Sequence, residues 1–365
     1  MSEEYVKGLA EDKQVKYVKA ILHQKENLPA HITEKRIEEI REWVHKTEIY
    51  LKFSTEIAPH ILKQDILKEL SALSLFSVRK PFYALVISEP AVAKSQVALW
   101  IEQRTPNTKF IEGTKLTSAG LTMTRVGKTI VLGALPQTHY GTLYLDELDK
   151  TPTTEAPALY SSMANHEFTV TKAILSATHV PSRQSGVFYC NPKGEHFMSR
   201  NVEVIKSQIP FESQAFLTRF HITMCLFEYD IKEFEEVTRH QYRSELDKIH
   251  HSIIDENIQN WKDYVEYARK YLIQWNYTKK MEDVLAIFSR EVYKQSSHLA
   301  MPVSARLNEG IFAIAEAYAR TRLDAKVTIR HVVKAMNLYL ECLEGIGLDK
   351  RIVIVEIKKY ISSFE

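Results

Sequence analysis

The sequence predicts an α/β protein: a parallel sheet with helices on both faces, framed by a small helical region before it and a helical domain after it. Three observations carry this expectation. Between about residues 57 and 229, short apolar runs alternate with amphipathic segments, the pattern of strands joined by crossover helices. Beyond Ile231 the strand signals vanish and long charged helical patterns follow. Three of the apolar runs end abruptly in polar residues, as strands do when their carboxyl ends carry a ligand site.

Residues 1–53 read as helical, with Val15, Val18, Ile21 and Leu22 on one stripe and Ile37, Ile40 and Val44 on another, parted at Pro29. The α/β core is expected over 54–230 and the helical domain over 231–348. Within the latter, helices are expected at 234–258, 261–275, 281–293, 306–322 and 328–343. The tail, 349–365, holds an apolar run from Ile352 to Val355 that suits strand or helix once a partner surface is available. No internal repeat or low-complexity stretch is present.

Composition bounds the function. With 365 residues, 45% apolar and 26% charged, the chain is an ordinary globular one, large enough for two domains or three small ones. Lys+Arg number 48 against Asp+Glu 46, a net charge of +2, so any nucleic-acid surface must come from local placement of charge. There is no run of 18 apolar residues, and the first thirty residues are too charged for a secretory leader, which points to a cytoplasmic protein with no membrane partner. Cys190, Cys225 and Cys342 are scattered, supply no four-thiolate zinc site, and are expected as buried free thiols.

The first polar-terminated run, 82–87, leads into Ser88, Glu89, Pro90, Ala91, Val92, Ala93, Lys94, Ser95 and Gln96 and then a helical stretch. A strand-to-helix loop closing on Lys-Ser is the layout of a phosphate-binding loop. Its backbone N–H groups and helix N-terminus hold phosphates, Lys94 reaches the outer ones and Ser95 reaches Mg²⁺. Alone, Ala-Lys-Ser says little, since most lysines are solvated and Ser88 and Ala93 stand where the usual GxxxxGKS pattern has glycine. Gly127-Lys128-Thr129 matches the end of that pattern better, yet Thr122 occupies its first glycine position and no helix follows, so Gly127 reads as a hairpin turn. The second run, 143–145, ends in Asp146-Glu147, which read either as solvated surface acids or as a metal-shell carboxylate beside one near an attacking water. The third, 187–190, ends in Asn191-Pro192, either a turn or an amide that orients water. Their joint order is far less expected by chance than any one of them.

With these residues placed, the flanking text resembles the motor domain of the MCM replicative helicases, hexameric AAA+ ATPases of archaea and eukaryotes. The resemblance runs from about Ile57 to Leu343. SEPAVAKSQ resembles the family's proline-containing phosphate loop, in which alanine precedes the lysine. IAPHILKQDILKELSALSLF resembles the segment that opens the motor, and TSAGLT the lead into the helix-2 insert. LYLDELDK is similar to the acidic strand, FTVTKAILSA to the pre-sensor hairpin, and FYCNP to the sensor strand. FLTRF resembles the arginine-finger segment and SARLNEGIFAIAEAYARTRL the second sensor with its helix. The resemblance implies ATP and Mg²⁺ as cofactors, with Lys94 on phosphate, Ser95 and Asp146 on the metal, Glu147 activating water and Asn191 positioning it. It also implies that Arg219 and Arg306 are offered to a neighbouring subunit's site in a hexameric ring, and that Lys172 contacts the DNA backbone in the channel.

There are departures. Ser88 replaces a glycine and Glu89 an aspartate, changes expected to slow turnover or alter nucleotide preference. His221 stands after FLTRF where the family usually has aspartate, and the insert around 125–136 is short. The family's N-terminal barrel with its zinc module and its C-terminal winged helix are expected to be absent, leaving a stripped motor of the kind carried by mobile elements or degenerate paralogues. The function expected is an ATP-driven DNA translocase or helicase in replication. The alternative is a nucleotide-binding subunit that hydrolyses poorly and assembles with or regulates a host helicase, and a protein remodeller is the weakest third.

Overall fold

The computed structural model describes residues 11–126, 129–152, 154, 156–172, 175–211, 213–247 and 252–362. In chain order its main strands are β1 (Tyr83–Ser88), β2 (Thr108–Glu112), β3 (Met123–Val126), β4 (Thr129–Leu132), β5 (Gly141–Asp146), β6 (Glu167–Lys172), β7 (Leu175–Pro181), β8 (Gln184–Cys190) and β9 (Ile222–Leu226). Five of them form the central sheet in the order β2-β5-β8-β1-β9, and its pairings are parallel. Every residue of β1, β5 and β8 is buried, which is why these segments read as unbroken apolar runs rather than as alternating ones. The three polar-terminated runs are thus adjacent strands, with β8 between the other two. β3 pairs with β4 and β6 with β7 as separate antiparallel hairpins. The Val126↔Thr129 register brackets Gly127 and Lys128, which lie outside the described residues.

The helix Asp65–Phe76 lies against the sheet, where Tyr144 donates to the Ser71 carbonyl and Thr142 to that of Ser74. Its carboxyl end is covered by two buried arginines of the helical domain. Arg269 Nε donates to Leu75 O at 2.8 Å and Arg320 Nη1 to Phe76 O at 3.2 Å, satisfying carbonyls that a helix end leaves orphaned. Around this junction Phe53, Phe76, Trp261 and Tyr264 pack ring against ring. The helices Glu11–Gln24 and Glu34–Thr47 occupy the first region, with Val18, Leu22, Ile37, Ile40 and Val44 all buried. Asp263 fastens this region through Arg36 Nε at 2.8 Å.

The helical domain departs from expectation at several element boundaries. Instead of one helix over 234–258 there are Ile231–Asp247 and the single turn Ile253–Glu256, whose N-cap Ser252 accepts from Asp255 N. The helix expected to reach Trp275 stops at Lys270, because Gln274–Trp275 pairs with Lys326–Val327 in a two-residue parallel ladder. So strand structure does not vanish after Ile231, although two residues are too few to leave a periodic signal. Arg306 and Arg322 flank the helix Leu307–Thr321 as its caps. The tail adopts the helical alternative, Lys350–Ser362, held to the helix Lys279–Gln295 by Tyr360 Oη donating to Asp283. All three cysteines are buried and free. Among the described residues, no helix is long and apolar enough to cross a membrane.

Candidate nucleotide site

The loop after β1 is held from behind by Glu89. Its carboxylate accepts from Phe197 N at 2.7 Å and from Glu228 N, so the loop is tied to the segments that follow both neighbouring strands, β8 and β9. Ser88 is fully buried and its hydroxyl has no partner in the structure. Ala91 and Ala93 both adopt φ of 61°, the left-handed region that glycine enters freely and alanine only at a cost. Ala93 is the N-cap of the helix Lys94–Arg104 and offers no side-chain cap, so the first N–H groups of that helix are left for an anion.

Lys94 is buried, and its ammonium donates to Asn191 Oδ1 at 2.5 Å. Burial lowers its pKa, against the opposing pull of Asp146. Ser95 Oγ donates to Asp146 Oδ2, and Asp146 Oδ1 accepts from Glu147 N at 2.9 Å. Four of the expected residues are therefore joined in two pairs across the ends of three adjacent strands. Glu147 has a left-handed φ of 52° and its carboxylate accepts from Lys150 Nζ at 2.8 Å and Thr114 Oγ1 at 2.6 Å. Lys150, then Thr114, hold its carboxyl below the ordinary range. Thr114 gets there because Gly113 has no Cβ: an added one would stand 2.2 Å from Glu147 O. Beside the loop, a cavity of about 690 Å³ is lined by His60, Ile61, Pro90, Ala91, Tyr229 and Val237, among others.

The donor set fits a magnesium nucleotide. A hydroxyl and a carboxylate side by side are hard oxygen ligands, and magnesium takes one or two carboxylates with the rest from phosphate and water. Among the described residues no group of three or more His, Cys, Asp or Glu is placed to hold a metal by itself, consistent with that shared mode.

The remaining expected residues lie elsewhere. Arg219 and Arg306 come together at the other end of β1, where Arg306 Nη1 donates to Arg219 O at 3.3 Å and the Arg219 guanidinium stands 5.3 Å from the centre of the Tyr160 ring. His221 does not support either guanidinium through a hydrogen bond. It extends the β1–β9 ladder, its N–H donating to Tyr83 O and its Nδ1 accepting from Tyr83 N, both at 2.9 Å. Burial first, and then Arg306, push its pKa down to about 3. Lys172 is the last residue of β6 and pairs with Leu175 across the hairpin, while Ala173 and Ile174 lie outside the described residues. The sequence reading missed Thr114 and Lys150 at Glu147, although Lys150 stands in the quoted LYLDELDK three residues from its partner.

A parallel sheet of this order, with a Lys-Ser loop after one strand, an acid pair after the second and an amide between them, defines a P-loop fold of the AAA+ type. The chain belongs to the MCM family: the MCM P-loop domain matches residues 36–243 and the MCM AAA-lid domain residues 259–343. It is 27% identical to the minichromosome maintenance protein MCM of Saccharolobus solfataricus over 87% of this chain and 48% of that one. Against the DNA replication licensing factor MCM5 of Arabidopsis thaliana the identity is 23%, over 85% of this chain and 46% of the relative. Against the zygotic DNA replication licensing factor mcm6-A of Xenopus laevis it is 25%, over 91% and 41%. The chain thus spans less than half the length of these relatives.

Proposed function

We propose that the chain is an ATP hydrolase that drives DNA translocation or unwinding in replication, working as a hexameric ring whose sites are completed by the neighbouring copy. The observation that carries this reading is the pairing of Lys94 with Asn191 and of Ser95 with Asp146 across three strand ends. When bound, Mg·ATP supplies the transferable phosphoryl group and its counter-charge. Lys94 then neutralises the outer phosphates, Ser95 and Asp146 hold the metal, and the left-handed loop with the open helix N-terminus cradles the rest. Glu147 accepts the proton of the attacking water, and Asn191, exchanging its bond to Lys94, orients that water. The cavity beside the loop suits the base. Arg219 and Arg306 are offered to the next copy's phosphates, and Lys172, beside the hairpin tip, to the DNA backbone. Residues 54–230 act as the motor and 231–348 as its lid, with host replication proteins as further partners.

A second reading is a subunit that binds nucleotide, hydrolyses it poorly and regulates a host helicase. Glu147 favours it, because two hydrogen bonds to its carboxylate lower its basicity. Steady-state ATPase activity with and without single-stranded DNA, measured together with oligomer size, separates the two. Stimulated turnover by a ring supports the motor; nucleotide binding without turnover supports the regulator.

A further inference from the structure

At the opposite end of the lid helix Leu307–Thr321 from Arg306, a cavity of about 770 Å³ opens between the turn Ile49–Leu51 and the start of the helix Ile329–Glu344. A second space of about 370 Å³ adjoins it and shares Ile329, Arg330 and Lys334. Its further lining, Val333 and Asn337, stands one and two helical turns on from Ile329, so the two spaces make one groove along a single helix face. The floor is apolar: Leu51 is 57% exposed, and Ile329 and Val333 are half-buried.

The walls are basic. Arg322, Lys326, Arg330 and Lys334 line the larger space against one carboxylate, Asp324, a local excess of three positive charges in a chain whose whole net charge is +2. Burial lowers the pKa of His331, which adds no charge at neutral pH. Arg322 is spent on Asp324 at 3.1 Å, and Lys334 stands 3.7 Å from Glu69. Among the described residues Lys326 and Arg330 have no ion-pair partner, and both are exposed. A small anion would need the N–H groups at the start of the 329–344 helix, but Thr328 and His331 close a capping box there. Stacked nucleic-acid bases would need an open ring, but Tyr50 and Tyr318 are buried, with Arg322 4.6 Å and Lys334 4.4 Å from their centres. What remains accessible is an apolar strip beside two unpaired cations, the complement of a chain segment that carries carboxylates next to apolar side chains.

We propose that this groove docks an acidic segment of another protein, its carboxylates on Lys326 and Arg330 and an apolar side chain against Leu51 and Ile329. The inference is independent of ATP hydrolysis, and none of these residues belongs to the nucleotide site. The probe is a display library of random short peptides, panned on the full chain. Selected sequences should be rich in Asp and Glu beside Leu, Ile or Phe, and a synthetic copy should bind saturably in fluorescence anisotropy. Its affinity should fall about tenfold or more in the double variant Lys326→Glu/Arg330→Glu, where two exposed charge pairs turn repulsive, and should weaken as salt is raised. Leu51→Ser should weaken it too. Thermal midpoint and nucleotide binding should stay those of the unaltered chain in both variants, since all three side chains are exposed. An enriched set without acidic bias overturns the proposal, as does a peptide that the double variant binds as tightly as the unaltered chain. Loss of oligothymidylate binding in the double variant, with no peptide selected, also overturns it and makes the groove a nucleic-acid surface.

Discussion

The two ends of β1 are built on opposite principles. At its carboxyl end the charged side chains find partners within the chain: Lys94 on Asn191, Asp146 on Ser95, Glu147 on Thr114 and Lys150, and Glu89 on two backbone N–H groups. Among the groups named there, only the Ser88 hydroxyl is left over. At the amino end Tyr83 Oη, Arg79 Nε and His166 Nδ1 are unpaired, and Arg306 leans on a backbone carbonyl. One end has its charged side chains set by contacts within its own chain. The other leaves buried polar atoms without partners.

The largest expected effect breaks the self-contained end. Lys94→Ala should abolish nucleotide-dependent turnover, since developing phosphoryl charge loses its counter-ion, while Lys128→Ala leaves turnover nearly intact. An essential Lys128 would move the site to the β3–β4 hairpin. Next is the amino end. Arg219→Ala should cost about 10³-fold or more in turnover, and mixing it with Lys94→Ala chains should restore part of it in mixed rings. A verified mixed oligomer with no recovery would show that the arginine does not act across an interface.

Glu147→Gln should lower turnover by roughly 10²-fold or more with nucleotide binding kept. If binding is lost instead, the carboxylate belongs to the metal shell. Lys172→Ala should reduce the salt slope of single-strand binding by about 0.7 for each phosphate contact removed, read from a salt titration at fixed oligomer size. A separate effect is on stability. His221 has its folded pKa lowered to about 3 against 6.5 ordinarily, so the unfolded chain binds the extra proton. Its contribution is fully present above about pH 6.5 and is lost progressively as pH falls toward 3. Urea midpoints across that range should show a shallower pH dependence in His221→Asn.

The same contrast explains what was legible in the sequence. Asp146 ends a fully buried strand, Asn191 directly follows one, and Lys94 and Ser95 lie one loop beyond a third, so a change from apolar to polar marks each place. Glu89 left no such mark beyond its replacement of an aspartate. Its partners are the N–H groups of Phe197 and Glu228, more than a hundred residues away, and a backbone N–H is the same whatever the side chain. His221 stands where the family usually has aspartate, and its ring nitrogen is taken up by the ladder beside Tyr83, a pairing set by register. The tail stayed open because Ile352–Val355 is β-branched, and only packing on the 279–295 helix decides for helix.

The Glu89 clasp also makes two distant amides into a clock. The N–H groups of Phe197 and Glu228 are both shielded by one carboxylate, so each can exchange its hydrogen with solvent only when that carboxylate lets go. Deuterium should therefore enter both positions with one common protection factor, although they follow different strands. That factor measures the opening of the phosphate loop from within, with no nucleotide, neighbour or DNA present. Ligands that close the loop should slow both amides together.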